Sequence, residues 1–534
     1  MNEETALLTF SIGPVHSFIA QARRVSDVWA GSYLLSHLTR QAIGIVKKDE
    51  RCQMLFPFIE GNITPDGIPN RFVCRVPLAK AEAIALKMKA EVERVWDVAV
   101  QSAVLFLGES LAPSRSLWTS EPNENRTRQT DRLLDMAWSW VPEQGDYVAA
   151  SLEGARLFAA IRHFRPFSQI REDGVKCAIC GERTALPNGD RTDVSHGWKK
   201  AEEEAKDDPQ SGLARFLRMD QGRLCLVCAT KRFFPRDYVI NQHFAAFDEF
   251  PPSKEAPYFA LVKMDGDRMS RILSLGRDEV SGGDLESFHR EVSKALTKFA
   301  DGLRVDNSAD LNLAALGNPP IARAQRPPQL IYAGGDDVLF VCDPRDALPL
   351  LRRIRDRYLK SFDKARPYLE SEDDPFTISA AVLFAHPSHP AGLALQDLED
   401  LLKHGAKARA GRDAVALRLV KRGGVPEQVA FRWNDGDAPA GGWLDRLEQV
   451  VGRLREGDMS SRQTFSLRLE ERTLLNVFGK DFERWTRWLA DRLSRNEGAQ
   501  GQAEALAGLV APFFVHDHMS ALRIARFLGR EVER

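Results

Sequence analysis

Apolar residues follow two spacings along this chain, and the switches between them mark its elements. Residues 6 to 12 form a short apolar run stopped by Gly13-Pro14, which predicts a strand. From Val15 to Ile43 the apolar positions recur at helical spacing, through Phe18, Ile19, Ala22, Val25, Trp29 and Leu34, which predicts one amphipathic helix. Strand-like runs at Gln53 to Phe58 and Arg71 to Val76 lead into a long helix from Ala79 to about Val104. That order, β-α-β-β-α, is most of a ferredoxin-like unit.

Between about 110 and 250 the pattern loosens into helical pieces, turns and the acidic stretch Ala201 to Asp208, as in an inserted, less regular domain. Phe247 to Lys254 has the composition of a linker, and beyond it regular order returns. A strand at Tyr258 to Met264 precedes a helix at Asp284 to Leu303, and strands at Leu330 to Ala333 and Val338 to Cys342 form a hairpin. A helix at Asp346 to Phe362, a strand at Phe376 to Phe384, a helix at Leu393 to Arg409 and a strand at Ala414 to Val420 complete a second ferredoxin-like unit with one extra helix and strand. After a second linker at 433 to 442, five segments of helical period (Leu444 to Leu454, Thr464 to Phe478, Phe482 to Leu493, Ala503 to Leu509, His518 to Leu528) predict a helical bundle. The expected architecture is α+β, in four parts: 1–110 and 251–432 as ferredoxin-like units, 111–250 as the insert and 443–534 as the bundle.

The chemistry concentrates in the predicted hairpin, whose turn reads Gly334-Gly335-Asp336-Asp337. Two adjacent carboxylates beside buried strands repel unless a partner neutralises them, and a divalent cation is the economical one. The bland alternative is a solvated turn, since Gly and Asp are common turn formers. The first strand of the same unit ends Lys263-Met264-Asp265-Gly266-Asp267, and in this topology its end lies beside the hairpin. Asp265, Asp336 and Asp337 then converge at one sheet edge. That set suits Mg2+ or Mn2+, which take hard oxygen ligands and could clamp a nucleotide phosphate as a two-ion site. A further Gly282-Gly283-Asp284 precedes a helix, so Asp284 reads as an N-cap without chemistry. Lys407 and its basic neighbours near the stop at Gly411 could meet nucleotide phosphates or could simply complement a helix C-terminus.

Cys177-x-x-Cys180 and Cys225-x-x-Cys228 are two knuckles able to complete a tetrahedral structural zinc site. The 44 residues between them exceed the usual spacing, so the acidic segment must loop out. Cys52, Cys74 and Cys342 lie in apolar runs and read as core residues. His516-Asp517-His518 is isolated and reads as a helix start.

Charge and composition narrow the class. With 74 basic and 75 acidic residues the net charge is -1, so no bulk field draws the chain to nucleic acid, and RNA contact would need local basic surface such as Arg162 to Arg171 or Arg352 to Lys364. No apolar run reaches the length of a membrane span, the start lacks a signal-peptide pattern and seven cysteines do not make a disulfide framework, so a cytoplasmic protein with no membrane partner is expected.

The stretch from Phe10 to Arg24, the following Trp29-Ala-Gly-Ser-Tyr-Leu-Leu-Ser36, the paired knuckles, the Gly-Gly-Asp-Asp hairpin and the run Ala406-Lys407 to Gly411-Arg412-Asp413 occur in the order of a known family. The chain resembles the large, palm-containing subunit of type III-B CRISPR effector complexes, the Cmr branch of the Cas-ten family. The hairpin and the last motif are shared more loosely with GGDEF cyclases and polymerase palms. The resemblance implies two palm domains, of the adenylyl-cyclase or GGDEF kind, facing each other across a nucleotide pocket. It further implies cyclic oligoadenylate synthesis from ATP, for antiviral defence, when guide CRISPR RNA has paired with target RNA among the other effector subunits. Carried onto this sequence, it gives the metals to Asp265, Asp336 and Asp337, close approach of the triphosphate to Gly334 and Gly335, and a phosphate contact to Lys407. Gly13, Pro14, His16 and Ser17 would border the second ATP. Many members begin with a histidine-aspartate nuclease domain; here the palm begins within ten residues of Met1, so neither that domain nor its DNA cleavage is expected. Two other readings stand beside this one: a catalytically silent subunit gripping guide RNA and its neighbours, and a stand-alone cyclic dinucleotide cyclase.

Overall fold

The structure, a computed structural model, describes residues 4–59, 67–110, 129–131, 133–164, 172–186, 198–199, 202–203, 206–207, 223–234, 247–251, 256–305, 308–317, 326–370, 375–423, 425–434, 442–460, 467, 473–494 and 502–532. Its first sheet contains β1 (Thr5–Gly13), β2 (Gln53–Phe56), β3 (Arg71–Pro77) and β4 (Asp135–Pro142), in the order β2-β3-β1-β4. This is the complete ferredoxin-like order, and the fourth strand comes from beyond residue 110, inside the segment read as an insert. Its Met136 and Trp138 alternate onto the first core, a period-2 signal masked by the irregular sequence before it.

The helix expected over 15–43 is two, α1 (His16–Ala20) and α2 (Val25–Lys47). The break has a local cause. The Asp27 carboxylate accepts the backbone N–H groups of Arg23 and Arg24, at 3.0 and 3.2 Å, and so caps α2. α3 (Ala81–Ser110) lies alongside α2, and α4 (Tyr147–His163) packs on β4 and β1.

The second sheet has eight strands: β5 (Phe259–Gly266), β6 (Arg304–Val305), β7 (Ser308–Leu311), β8 (Gln329–Gly334), β9 (Asp337–Cys342), β10 (Ile378–Ala385), β11 (Ala414–Val420) and β12 (Glu427–Arg432). Their order is β12-β11-β10-β5-β9-β8-β7-β6, so the ferredoxin-like quartet β10-β5-β9-β8 sits in the middle, with β11 and β12 on one flank and the short β7 and β6 on the other. Sequence periodicity predicted β11 but not β6, β7 or β12.

Both faces of this sheet are buried. α6 (Leu285–Gly302) and α7 (Ala347–Ser361) cover one face, meeting Val262, Met264, Phe340 and Val382. On the other face α8 (Ala391–Asp400), which continues as a wide π-helical turn over Leu401–Arg409, shares Leu261, Leu339 and Val341 with Val25, Val28 and Trp29 of α2. The two units are therefore joined by packing. The expected linker at 247–254 takes part: Phe247 stacks on Phe259 with ring centroids 4.5 Å apart. Helices over Gly442–Glu456, Phe482–Ser494, Ala503–Val515 and Met519–Arg526 form the C-terminal part, in one continuous core with the α6/α7 face. Of the helix expected over 464–478, residues 473–478 are helical, and 464–466 and 468–472 lie outside the described residues. Among those described, no helix is long and apolar enough to cross a membrane.

Candidate active site between the two sheets

β8 and β9 are joined by a two-residue turn, Gly335-Asp336, closed by Gly334 opposite Asp337. Only Gly335 of the pair has a positive φ, 64°, the pattern of a type II′ hairpin turn, in which glycine belongs at the first central position. Gly334 serves a different need from the one its motif implies. A Cβ there would lie 2.1 Å from the Tyr332 hydroxyl and 2.9 Å from the Gly67 carbonyl, so its bare backbone admits a loop of the first unit.

The register between β5 and β9 runs through Lys263 opposite Leu339 and Met264 opposite Val338. One more step sets Asp265 opposite Asp337, and the Gly266 N–H bond to the Asp336 carbonyl, 3.2 Å, keeps the strands together there. Cross-strand pairs on one face stand about 5 Å apart at Cβ, so Asp265 and Asp337 are neighbours facing α2 and α8. Asp336 lies over Gly266, above Tyr358: a Cβ on Gly266 would be 2.7 Å from Asp336 Oδ2 and 2.6 Å from the Tyr358 hydroxyl. Loss of hydration, and then the Asp337 charge, push the Asp336 carboxyl up to about 7; loss of hydration also raises Asp337. The cluster thus carries more negative charge than it can comfortably hold, the electrostatic condition for a cation site.

Two lysines answer part of that charge. Lys407, on the π-helical turn, bonds the Asp265 carboxylate and, at 3.1 Å, the Gly266 carbonyl; burial, with Arg412 and Lys263 nearby, brings its ammonium down to about 8. Lys263 bonds Glu399 of α8 and stands 3.9 Å from Asp337 Oδ1. With these pairs in place, the three aspartates do not close on a single point. Asp267 is not part of the cluster. It is 1% exposed and accepts bonds from Ser379, Thr377 and the Asp413 N–H, so it ties the approach to β11 onto β10. Asp284 caps α6 by accepting the Ser287 N–H at 3.1 Å, as expected.

Beside Asp337 opens a cavity of about 250 Å3 that both units line. The first contributes His16, Ile19, Ser36 and Asn70; the second contributes Lys263, Tyr332, Asp337, Leu395 and Glu399. His16 is thereby placed with the hairpin, whereas Gly13 ends β1 opposite Asp135, and neither Gly13 nor the exposed Ser17 lines the cavity. Lys263 and Glu399 had not been singled out. The period-2 rule puts Lys263 on the face of Asp265, so it could have been found; Glu399 gave no such signal. Within the basic stretch 352–364, Arg352 is paired with Asp445 and Glu448 and Arg355 with Asp413, which makes these two arginines structural.

The zinc candidates meet at one point. The Sγ atoms of Cys177, Cys180, Cys225 and Cys228 all lie within 4.8 Å of one another, and those of Cys180 and Cys225 are 3.8 Å apart. A tetrahedral zinc with Zn–S bonds of about 2.3 Å spaces its sulfurs about 3.8 Å apart, so this donor set fits the ion closely. Cys225 caps α5 (Leu226–Phe233), which is pressed against α2 and α3. Lys231 of α5 donates to the Phe18 and Gln21 carbonyls at the end of α1, and Arg232 makes a two-bonded pair with Asp27 at 2.6 and 2.9 Å. Gln21 also bonds Glu182 and Arg183, beside Cys180. The cysteine cluster therefore supports the short helix that carries His16.

Comparison with known proteins places these parts. Residues 258–416 match the family model described as Cas10/Cmr2, second palm domain, and residues 7–101 match that of the CRISPR-associated protein Cmr2, N-terminal. The CRISPR system Cmr subunit Cmr2 of Pyrococcus furiosus is 32% identical over 187 residues, 34% of this chain and 20% of that protein; the alignment thus spans a fifth of the relative's length. Among solved structures, a type III-B Cmr-beta assembly bound to cognate target RNA contains a chain that superposes with a TM-score of 0.60 at 12% identity, covering 96% of this chain and 83% of that one. A Csm1-Csm4 cassette in complex with cA3 gives 0.50 at 13% identity, over 99% and 70%. At these identities the structural likeness is one of fold.

Proposed function

On a chain that carries a Cas10/Cmr2 second palm domain and a Cmr2 N-terminal domain, consistent with a Cmr2-type large subunit, we propose that the cleft between the sheets converts ATP into cyclic oligoadenylates. The observation that carries this reading is the β5–β9 register, which ends at Met264 opposite Val338 and, with the Gly266 N–H bonded to the Asp336 carbonyl, brings Asp265 beside Asp337, with Asp336 at the adjoining turn, next to a cavity that both units line. In each elongation step the 3′-hydroxyl of one nucleotide attacks the α-phosphate of another, and in ring closure the terminal 3′-hydroxyl attacks the α-phosphate of the 5′-triphosphate of the same oligomer. Each time a phosphorus–oxygen bond forms as the hydroxyl proton passes to solvent, the bond to the β-phosphate breaks and pyrophosphate leaves with its electron pair.

Asp265, Asp336 and Asp337 would hold Mg2+ or Mn2+, which when bound supplies charge neutralisation and polarises the α-phosphate. At about 250 Å3 the cavity is smaller than pockets of about 300–1,000 Å3 that enclose a whole ligand. It would take the base and sugar of one nucleotide and leave the triphosphate toward Asp337. Lys407 would turn from Asp265 to the phosphates, Gly335 would let backbone approach them, and His16 would meet the nucleotide from the first unit. The four-cysteine cluster, with zinc, would hold α1 in register for that contact.

We place this activity in a type III-B effector, in the company of the other effector subunits, guide CRISPR RNA and target RNA. The test uses the assembled complex with ATP and Mg2+ or Mn2+, with and without matched target RNA, and mass spectrometry of the products. Oligoadenylates that depend on target RNA and vanish in Asp336→Ala/Asp337→Ala are expected. Undiminished product from that double variant overturns the reading. Normal assembly without any ATP turnover would favour the silent structural subunit, and GTP use without RNA the stand-alone cyclase.

A further inference from the structure

The charges around Lys263 do not match its nearest need. Asp337 Oδ1 is buried and, among the described residues, accepts no hydrogen bond, although the Lys263 ammonium stands only 3.9 Å away. That ammonium is bonded by Glu399 of α8, which lines the same cavity. Against the opposing effect of burial, Asp337 and then Glu399 raise the Lys263 ammonium, and of the two carboxylates it is Glu399 that accepts its hydrogen bond. Asp337 keeps 38% of its side chain exposed, so the rest of its carboxylate opens to the cleft, and its compensation by Lys263 acts across 3.9 Å without a hydrogen bond.

We infer that Glu399 is a positioning residue for the metal centre: by holding Lys263 away from Asp337 it preserves the negative charge to which a divalent cation binds. The inference rests on the metal-binding reading of the aspartates given above and assigns them a neighbour on another element. If Glu399 lost its charge, the Lys263 ammonium would close from 3.9 Å to hydrogen-bond distance, about 2.8 Å, on Asp337 Oδ1. At an effective dielectric near 20 that approach strengthens the lysine–aspartate attraction enough to lower cation affinity about tenfold.

The experiment is Mn2+ titration of the full 534-residue chain, followed by electron paramagnetic resonance, in four forms: unmodified, Glu399→Gln, Lys263→Met and the double variant. Glu399→Gln should weaken Mn2+ binding about tenfold when Lys263 is present and less than about twofold in the Lys263→Met background, because the penalty is transmitted by the lysine. Equal penalties in both backgrounds would show that Glu399 acts only through its own charge, and no penalty would show that it does not act; either overturns the inference. Asp336→Asn/Asp337→Asn identifies the site. A Mn2+ signal that this variant does not abolish overturns the metal-binding reading itself, and with it the inference, so the two failures are told apart.

Discussion

Gly266 directly follows Asp265 in the chain and lies beneath Asp336, which makes it the sharpest probe of the site. Gly266→Ala would place a methyl group 2.7 Å from both Cβ and Oδ2 of Asp336 and 2.6 Å from the Tyr358 hydroxyl. Carbon–oxygen contacts settle at about 3.3 Å, so Asp336 must retreat by about 0.6 Å, more than a preorganised centre tolerates. Displacement of that order should cost between tenfold and about a hundredfold in oligoadenylate formation. The overpacked site should also lose about 1–3 kcal/mol, or about 1–2 °C of Tm per kcal/mol for a cooperative unit of this size. The two effects separate through the second contact. Tyr358→Phe in the Gly266→Ala background removes the hydroxyl clash and should recover stability while leaving the Asp336 clash, and therefore the rate, uncorrected. Product formation is followed by mass spectrometry and Tm by scanning calorimetry. A Gly266→Ala rate within about twofold of the unmodified protein, or full recovery of rate by Tyr358→Phe, would refute the claim that Gly266 exists to seat Asp336.

Other outcomes follow from the same geometry. Lys407→Met should raise the KM for ATP about tenfold by removing a charged phosphate contact, with folding intact by circular dichroism; an unchanged KM assigns Lys407 to Asp265 alone. One zinc per chain should be found by mass spectrometry, falling to none in Cys180→Ser/Cys228→Ser, and its loss should open the segment around Leu226–Phe233 to proteolysis. His289 is 3% exposed and its Nδ1 shares a hydrogen bond with the Tyr147 hydroxyl at 2.9 Å, and burial lowers it from 6.5 to about 4. Because the folded state resists its protonation, stability present above pH 6.5 should be lost as the pH falls to about 4, by up to about 3 kcal/mol. Urea unfolding across that range should show a steeper decline for the unmodified protein than for His289→Gln; parallel curves would dismiss the histidine as the cause.

What the sequence disclosed divides along physical lines. The quartet of strands in the second sheet, the hairpin turn and the two cysteine knuckles were legible because each is fixed by spacing within a short segment. Strand β4 was missed although Met136 and Trp138 alternate, since irregular chain separates it from its partner β1 by more than a hundred positions. The break after α1 was missed although Asp27 caps α2 locally, because the groups that secure both sides of the break come from elsewhere: Lys231 and Arg232, beside the second knuckle, satisfy the Phe18 and Gln21 carbonyls and the carboxylate of Asp27. At the site, Asp265, Asp336, Asp337 and His16 were nameable from motifs. Glu399 entered only through its long-range pairing with Lys263, and long-range pairing leaves no local trace.

The unbroken core linking the second sheet to the C-terminal helices limits how the chain can be dissected. Its composition invites a cut between Trp433 and Gly442. Yet Trp443 packs against Phe431, 5.1 Å from His516 and 5.5 Å from Phe513, and the Trp433 indole N–H is bonded to the Ile378 carbonyl of β10. A truncation there would bare a band of aromatic surface on the sheet that carries the aspartates, and the excised fragment would aggregate before its chemistry could be measured. Expression libraries and domain-swap chimeras should therefore treat residues 256–532 as one indivisible cassette.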